Sequence, residues 1–157
     1  SSVPAERTLV AVFASPVAGY LLRYGADMGF RSLLLEPDEA RAAGAAALGF
    51  PLLTAIPDDL DDSTDVVLTD HHRSELGVIL RDALATKARW IGIMGNPNHA
   101  GPHVAALTGL GVPPEEIARV HRPIGLNIGS RIPPEIAVST LAGLLADRND
   151  RPGGFDF

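Results

Sequence analysis

Cysteine is absent from all 157 residues. That excludes a disulfide framework, a thiolate nucleophile and sulfur ligation of a metal, and it fits a reducing compartment. No apolar run approaches the roughly 20 residues that span a bilayer. Residues 1–8 lack the charged-then-apolar order of a signal peptide, so the expectation is a soluble, cytoplasmic chain with no membrane partner. Positive charge is scarce: 13 Lys and Arg against 19 Asp and Glu leave a formal net charge of -6, which argues against nucleic acid, whose phosphates call for a basic face. The sequence contains no G-x-S-x-G, no Walker A loop and no H-E-x-x-H, which counts against hydrolase or kinase chemistry and leaves no catalytic residue to name.

What is present is a core. At 46% hydrophobic and 20% charged, the chain has the balance of one folded domain and not of a disordered segment. Apolar runs at 9–14, 32–36, 65–69 and 89–94 are short and uninterrupted, as strands buried on both faces are. Between them lie helical stretches at 17–28, 38–48, 74–85 and 103–110, with Gly29 as a helix stop and Ser74 as an N-cap. Residues 52–56 are ambiguous, 57–64 form an acidic connection, 117–121 lead into a fifth strand or its remnant and 133–146 form a closing helix. The segments Pro113-Pro114-Glu115 and Pro133-Pro134-Glu135 share helix-start chemistry. Alternating strands and helices predict a single α/β domain over 8–147. Its sheet is Rossmann-like, doubly wound and parallel, with helices on both faces. A polar tail occupies 148–157, where Phe155 and Phe157 are available for docking.

In such a sheet, ligands collect beyond the carboxyl ends of the strands. The first loop there reads Ala14-Ser15-Pro16-Val17-Ala18-Gly19, where a dinucleotide fold wants G-x-G-x-x-G. Only Gly19 survives, and Pro16 has no N–H for a phosphate. Glu36 stands where a ribose-binding acid belongs. The run Thr69-Asp70-His71-His72 either offers a base or a metal ligand or is a polar strand end with solvated histidines; adjacent residues of an extended segment face opposite ways, which argues against both histidines sharing one ligand. His99 and His103 are four apart, but Gly101-Pro102 intervenes, and no metal site is expected. Gly95 and Asn96 lie in a turn-prone loop that either admits a ligand to the backbone or simply reverses the chain.

The loop from His121 to Arg131 carries the most information. Gly125 and Gly129 permit close backbone approach, Arg122 and Arg131 suit a phosphate or carboxylate, and the helix that follows offers N–H groups to an anion; the alternative is a turn that simply reverses the chain.

Arg119-Val120-His121-Arg122-Pro123-Ile124-Gly125-Leu126-Asn127-Ile128-Gly129-Ser130-Arg131, followed by Pro134-Glu135-Ile136-Ala137, resembles the signature of the Rossmann domain of the XdhC/CoxI family. Trp90-Ile91-Gly92-Ile93-Met94-Gly95 and Val67-Leu68-Thr69-Asp70-His71 are similar to two further strand ends of that family. The resemblance covers about residues 8–147. It implies a maturation factor, more chaperone than catalyst, that helps deliver sulfurated molybdenum cofactor to a molybdoenzyme of the xanthine or carbon monoxide dehydrogenase type. The family's usual N-terminal domain has no counterpart ahead of the first strand, which implies a fragment or a stand-alone relative.

The departures fall on the ligand edge. The family's glycine-rich first loop is Ala14-Ser15-Pro16, its Gly-Ser-Arg loop is Gly95-Asn96-Pro97, the Asp of G-L-D-I-G is Asn127, and the Thr before the final proline pair is Ile132. Three functions stay open on the sequence. One is an XdhC-like domain binding molybdenum cofactor or a nucleotide near Arg122 and Arg131. Another is an NAD(P)-dependent oxidoreductase domain. The last is a degenerate interaction module that binds a partner protein or forms a homodimer.

Overall fold

Short apolar runs become strands, and stretches with apolar residues at three- and four-residue spacing become helices. The computed structural model describes residues 6–98 and 101–157. In chain order the elements are β1 (Arg7–Val12), α1 (Pro16–Asp27), β2 (Phe30–Leu35), α2 (Glu39–Ala45), β3 (Leu52–Leu53), β4 (Thr64–Leu68), α3 (Leu76–Leu84), β5 (Trp90–Ile93), α4 (Pro102–Gly109), α5 (Pro114–Ile117), β6 (Val120–His121) and α6 (Pro133–Arg148). The six strands form one sheet in the order β3-β2-β1-β4-β5-β6, and every pairing is parallel. The chain therefore leaves β1 toward one edge and leaves β4 toward the other. A crevice opens where the winding reverses, between the carboxyl ends of β1 and β4.

Strand periodicity divides the core between the two faces. Val10, Leu33, Val66 and Ile91 point one way and pack with Leu76, Ile79 and Leu80 of α3. Leu9, Ala11, Leu34 and Val67 point the other way and meet Leu21 and Leu22 of α1 and Leu141 and Leu144 of α6. Because both faces are covered, the strands show no polar alternation, and this is why they read as continuous apolar runs.

At the amino edge, Asp65 is fully buried and accepts from Arg89 Nε at 2.8 Å and Arg148 Nε at 2.6 Å. Arg148 also donates to the Ser63 carbonyl at 2.5 Å. These contacts fasten the end of α6 to the start of β4.

Several expectations are revised. The ambiguous stretch after residue 51 supplies only the two-residue edge strand β3, and of the two readings of 117–121 the strand remnant holds, as β6 behind the single turn α5. Ser74 does not cap α3: the helix starts at Leu76 with no side-chain cap, and the Ser74 hydroxyl instead donates to Glu75 Oε1 at 3.3 Å. Glu75 is itself held by Arg73, so local ion pairing displaces the capping bond. The closing helix α6 runs on to Arg148, two residues past its expected end at 146. Phe155 and Phe157 dock on nothing among the described residues and stand fully exposed.

The loop before α6 is pinned to the middle of that helix. Leu126 N donates to the Ser139 carbonyl at 3.1 Å, and Ser139 Oγ donates to the Leu126 carbonyl at 2.6 Å. Gly125 makes the approach possible: its φ is +87°, and a Cβ there would lie 2.6 Å from Ser139 Oγ and 3.2 Å from the Ser139 main chain. Gly129, with φ +73°, has nothing within 4 Å of such a Cβ. Gly125→Ala should therefore cost about 2–4 kcal/mol, from left-handed strain plus overpacking. Gly129→Ala should cost only about 1–2 kcal/mol, from the strain alone. Urea midpoints at constant m-value check both, and equal losses would show that the contact with α6 contributes nothing.

Candidate functional site

The amino end of α1 stands at the winding reversal, and its first turn is closed from within. Ser15 caps the helix by accepting from Ala18 N at 3.1 Å. Pro16, at the first helical position, has no N–H to offer. Thr69 Oγ1 donates to the Val12 carbonyl at 2.8 Å and lies 3.2 Å from Ser15 Oγ, bridging the ends of β1 and β4. Ala14 N is given to Glu36 Oε1 at 3.0 Å. Of the backbone donors near a pyrophosphate position, Ala14 N and Ala18 N are thus engaged and that of residue 16 is missing.

Glu36 differs most from its expected role. It is fully buried. Its two oxygens accept from Ala14 N, Asp38 N at 2.8 Å, Arg73 Nη1 at 2.9 Å and Arg73 Nη2 at 2.7 Å. A carboxylate has about four acceptor directions, so none is left for a ribose hydroxyl. Burial alone would raise this carboxyl, but the Arg73 guanidinium and the two backbone N–H groups outweigh it and hold Glu36 below the ordinary glutamate value. Arg73 is raised in return, chiefly by its hydrogen bonds to Glu36, and lies 4.4 Å over the Phe13 ring.

Two clefts flank the start of α1. The first, of about 600 Å³, lies between α1 and α2 and takes in Ala14, Ser15, Pro16 and Gly19 together with Arg23 and Arg41. The second, of about 450 Å³, lies between the ends of β4 and β5 and the face of α6. Thr69, Asp70, His71 and Gly95 form its sheet side; Ser130, Ser139 and Thr140 face them; Val17, Met94, Ile124 and Ile136 supply apolar walls. Arg122 lies against Gly95, where a Cβ would come within 2.6 Å of its guanidinium, and donates to the Asn96 carbonyl at 2.9 Å.

The expected site residues therefore separate. Asp70, His71 and Gly95 meet in the second cleft, with Arg122 and Asn96 beside it. Ala14, Ser15, Pro16 and Gly19 line the other cleft, and Gly125 is packed on α6. Asn127, Gly129 and Arg131 are exposed and line neither cleft, so Arg131 does not join Arg122. The start of α6 is also unlike the expected anion site. Pro133 and Pro134 lack N–H groups, and Glu135 Oε1 already accepts from Arg131 N at 3.0 Å. An internal acid occupies the place foreseen for a ligand anion.

His71 and His72 do not face opposite ways. Their ring centroids are 3.9 Å apart, because Asp70 Oδ1 accepts from His72 N at 2.8 Å and bends the segment. No group of three or more metal-ligating side chains forms among the described residues. His99 lies outside the described residues. His103 is buried, and its Nδ1 has no hydrogen-bond partner among the described residues. Burial, then the Arg122 charge, holds His103 below the ordinary histidine value. Burial, then the charges of His72 and Arg122, lowers His71 against the pull of Asp70 and a bond to the Met94 backbone.

The family model of the XdhC Rossmann domain matches residues 9–144. The chain belongs to the XdhC Rossmann-domain family. The resemblance carried by residues 119–131 is thereby borne out. Uncharacterized protein YqeB of Escherichia coli (strain K12) is 33% identical over 94 residues, which is 60% of this chain and 17% of that protein. A crystal structure described as a xanthine dehydrogenase from Bacillus halodurans has the same fold, with a TM-score of 0.71 at 21% identity over 92% of this chain and 45% of that one. The chain thus spans a minor part of each. No helix among the described residues is long and apolar enough to cross a membrane.

Two groups in this XdhC domain escaped the sequence reading. Arg23 follows Gly19 at the four-residue helical spacing, so it shares a face with the first loop. Ser139 and Thr140 are buried polar residues on the apolar side of α6, and polar interruption of a buried stripe is a readable signal.

Replacing Arg73 with Met strands the Glu36 charge and should cost about 3–5 kcal/mol in urea unfolding at pH 7. Glu36→Gln/Arg73→Met should recover part of that loss. In the wild type, the Glu36 contribution is present above the ordinary glutamate value and lost as pH falls through the lowered folded value. A flat acid limb from pH 5 to pH 2 would refute that assignment. For the histidines, NMR titration should place both His71 and His103 below 6.5, and Arg122→Gln should move both upward. Since unfolded histidine takes up the proton first, stability is full above 6.5 and declines as pH falls toward the lowered values.

Proposed function

We propose that this chain is the Rossmann domain of a maturation factor for a molybdoenzyme of the xanthine dehydrogenase type, and that it holds the molybdenum cofactor in the cleft between β4, β5 and α6. The observation that carries this reading is the composition of that cleft. Apolar walls from Val17, Met94, Ile124 and Ile136 stand opposite hydroxyl groups and His71, with the Arg122 guanidinium alongside. A flat pterin needs apolar faces and hydrogen bonds at its edges, and its phosphate needs a cation. A volume of about 450 Å³ falls within the usual range for small-molecule sites, roughly 300–1,000 Å³. The donor set therefore fits the group. Arg122 would meet the phosphate; Ser130 and Thr140 would meet the ring edge; a neutral His71 can donate or accept there. The bound cofactor supplies the redox chemistry of the recipient enzyme, and the domain's own work is to bind, orient and release it.

The same geometry favours a binder over an NAD(P)-dependent oxidoreductase. Dinucleotide binding would require Ala14 N, Glu36 and the first turn of α1 to abandon their internal partners. Family membership supports a recipient enzyme of the xanthine dehydrogenase type.

Anaerobic equilibrium binding of molybdenum cofactor to wild type and Arg122→Gln tests the reading. A charge-assisted bond of about 1.5–3 kcal/mol corresponds to at least tenfold weaker binding in the variant. Equal affinity in the two proteins removes the site, and saturable NADH binding in place of cofactor binding replaces the reading with the oxidoreductase one.

A further inference from the structure

The cleft between α1 and α2 is separate from the proposed cofactor site and has its own chemistry. Arg23 reaches it from α1 and Arg41 from α2. Neither guanidinium takes part in any ion pair or side-chain hydrogen bond among the described residues. Arg23 lies 5.2 Å over the Tyr20 ring, which restricts it without neutralising it. Two uncompensated cations lining one concavity is a notable arrangement in a chain of formal net charge -6, where five other arginines pair with carboxylates.

The remaining walls are small or apolar. Leu48 is 45% exposed and Ala45 is buried beside it. At Gly44 a Cβ would meet nothing within 4 Å, and at Gly19 only the Leu48 side chain at 3.8 Å. The cleft of about 600 Å³ is thus open along a glycine-flanked floor, with a hydrophobic side and a doubly cationic side. The start of α1 contributes little, since Pro16 lacks an N–H and Ala18 N is spent on Ser15. Side chains, not the helix end, would provide the recognition.

We infer that this cleft is a second binding site, for a phosphate monoester with an apolar or aromatic body: Arg23 and Arg41 take the dianionic phosphate, and Leu48, Ala45 and the glycine floor take the body. Guanidinium groups pair with phosphate oxygens in two-point geometry, which suits a terminal phosphate better than a diester. The inference is independent of what occupies the cleft beside Arg122.

Adenosine 5′-monophosphate, inorganic phosphate and adenosine serve as probes, titrated into the whole chain by calorimetry and by amide shifts in ¹H–¹⁵N spectra. The expected order of affinity is the monophosphate, then inorganic phosphate, then adenosine, with the Gly19 and Gly44 amides moving. Arg23→Gln and Arg41→Gln should each weaken monophosphate binding about tenfold. Gly44→Leu, which keeps α2 helical and fills the floor, should abolish it while leaving both arginines in place. Arg122→Gln should leave it unchanged, so loss of molybdenum cofactor binding and loss of this site are read separately. The inference is overturned if none of the probes binds, if the arginine variants bind as well as wild type, or if inorganic phosphate binds as tightly as the monophosphate. It is equally overturned if Arg122→Gln weakens the monophosphate as much as the Arg23 and Arg41 changes do.

Discussion

A buried carboxylate with four donors fixes the working edge of this domain. Glu36 gathers Ala14 from the end of β1, Asp38 from the start of α2 and Arg73 from the connection after β4. Three loops that diverge in sequence are thereby set at fixed spacing, and both clefts inherit their shape from that spacing. Burying an ion pair is expensive unless every lone pair is satisfied; here each oxygen of Glu36 has two donors. The pair is therefore better understood as a device for specificity of loop placement than as a source of net stability. It also leaves no acid free to meet a ribose, because Glu36 has been turned inward.

The fold was legible because its determinants are local. Uninterrupted apolar runs at β1, β2, β4 and β5, spaced by helix-length segments, admit few arrangements besides a parallel sheet with covered faces. What escaped was short or long-range. β3 and β6 are two residues each and are strands only because a neighbour offers them a ladder. The capping role assigned to Ser74 failed because Arg73 draws Glu75, and through it the serine hydroxyl, toward a partner 37 positions earlier in the chain.

The site was legible only as a rim. Residues at the strand ends do gather along one edge, but nothing in the sequence reveals that α1 divides the edge into two concavities. The closed start of α6 was, by contrast, written in the letters: a helix opening on two prolines and a glutamate has spent its donors before any anion arrives. The paired orientation of His71 and His72 needed the turn made by Asp70, which an extended-strand assumption conceals. Arg23, Arg41, Ser139 and Thr140 lie on helices, and a search confined to loops passes over them.

The only indole of the molecule occupies an informative place. Trp90 is stacked on His121, with centroids 5.1 Å apart and planes inclined by 17°, where β6 gives way to the segment bearing Arg122. Its emission depends on the imidazole lying over it. Any event that shifts this strand end relative to the ring beneath it would change the brightness of an intrinsic fluorophore, so movement here can be followed without a dye.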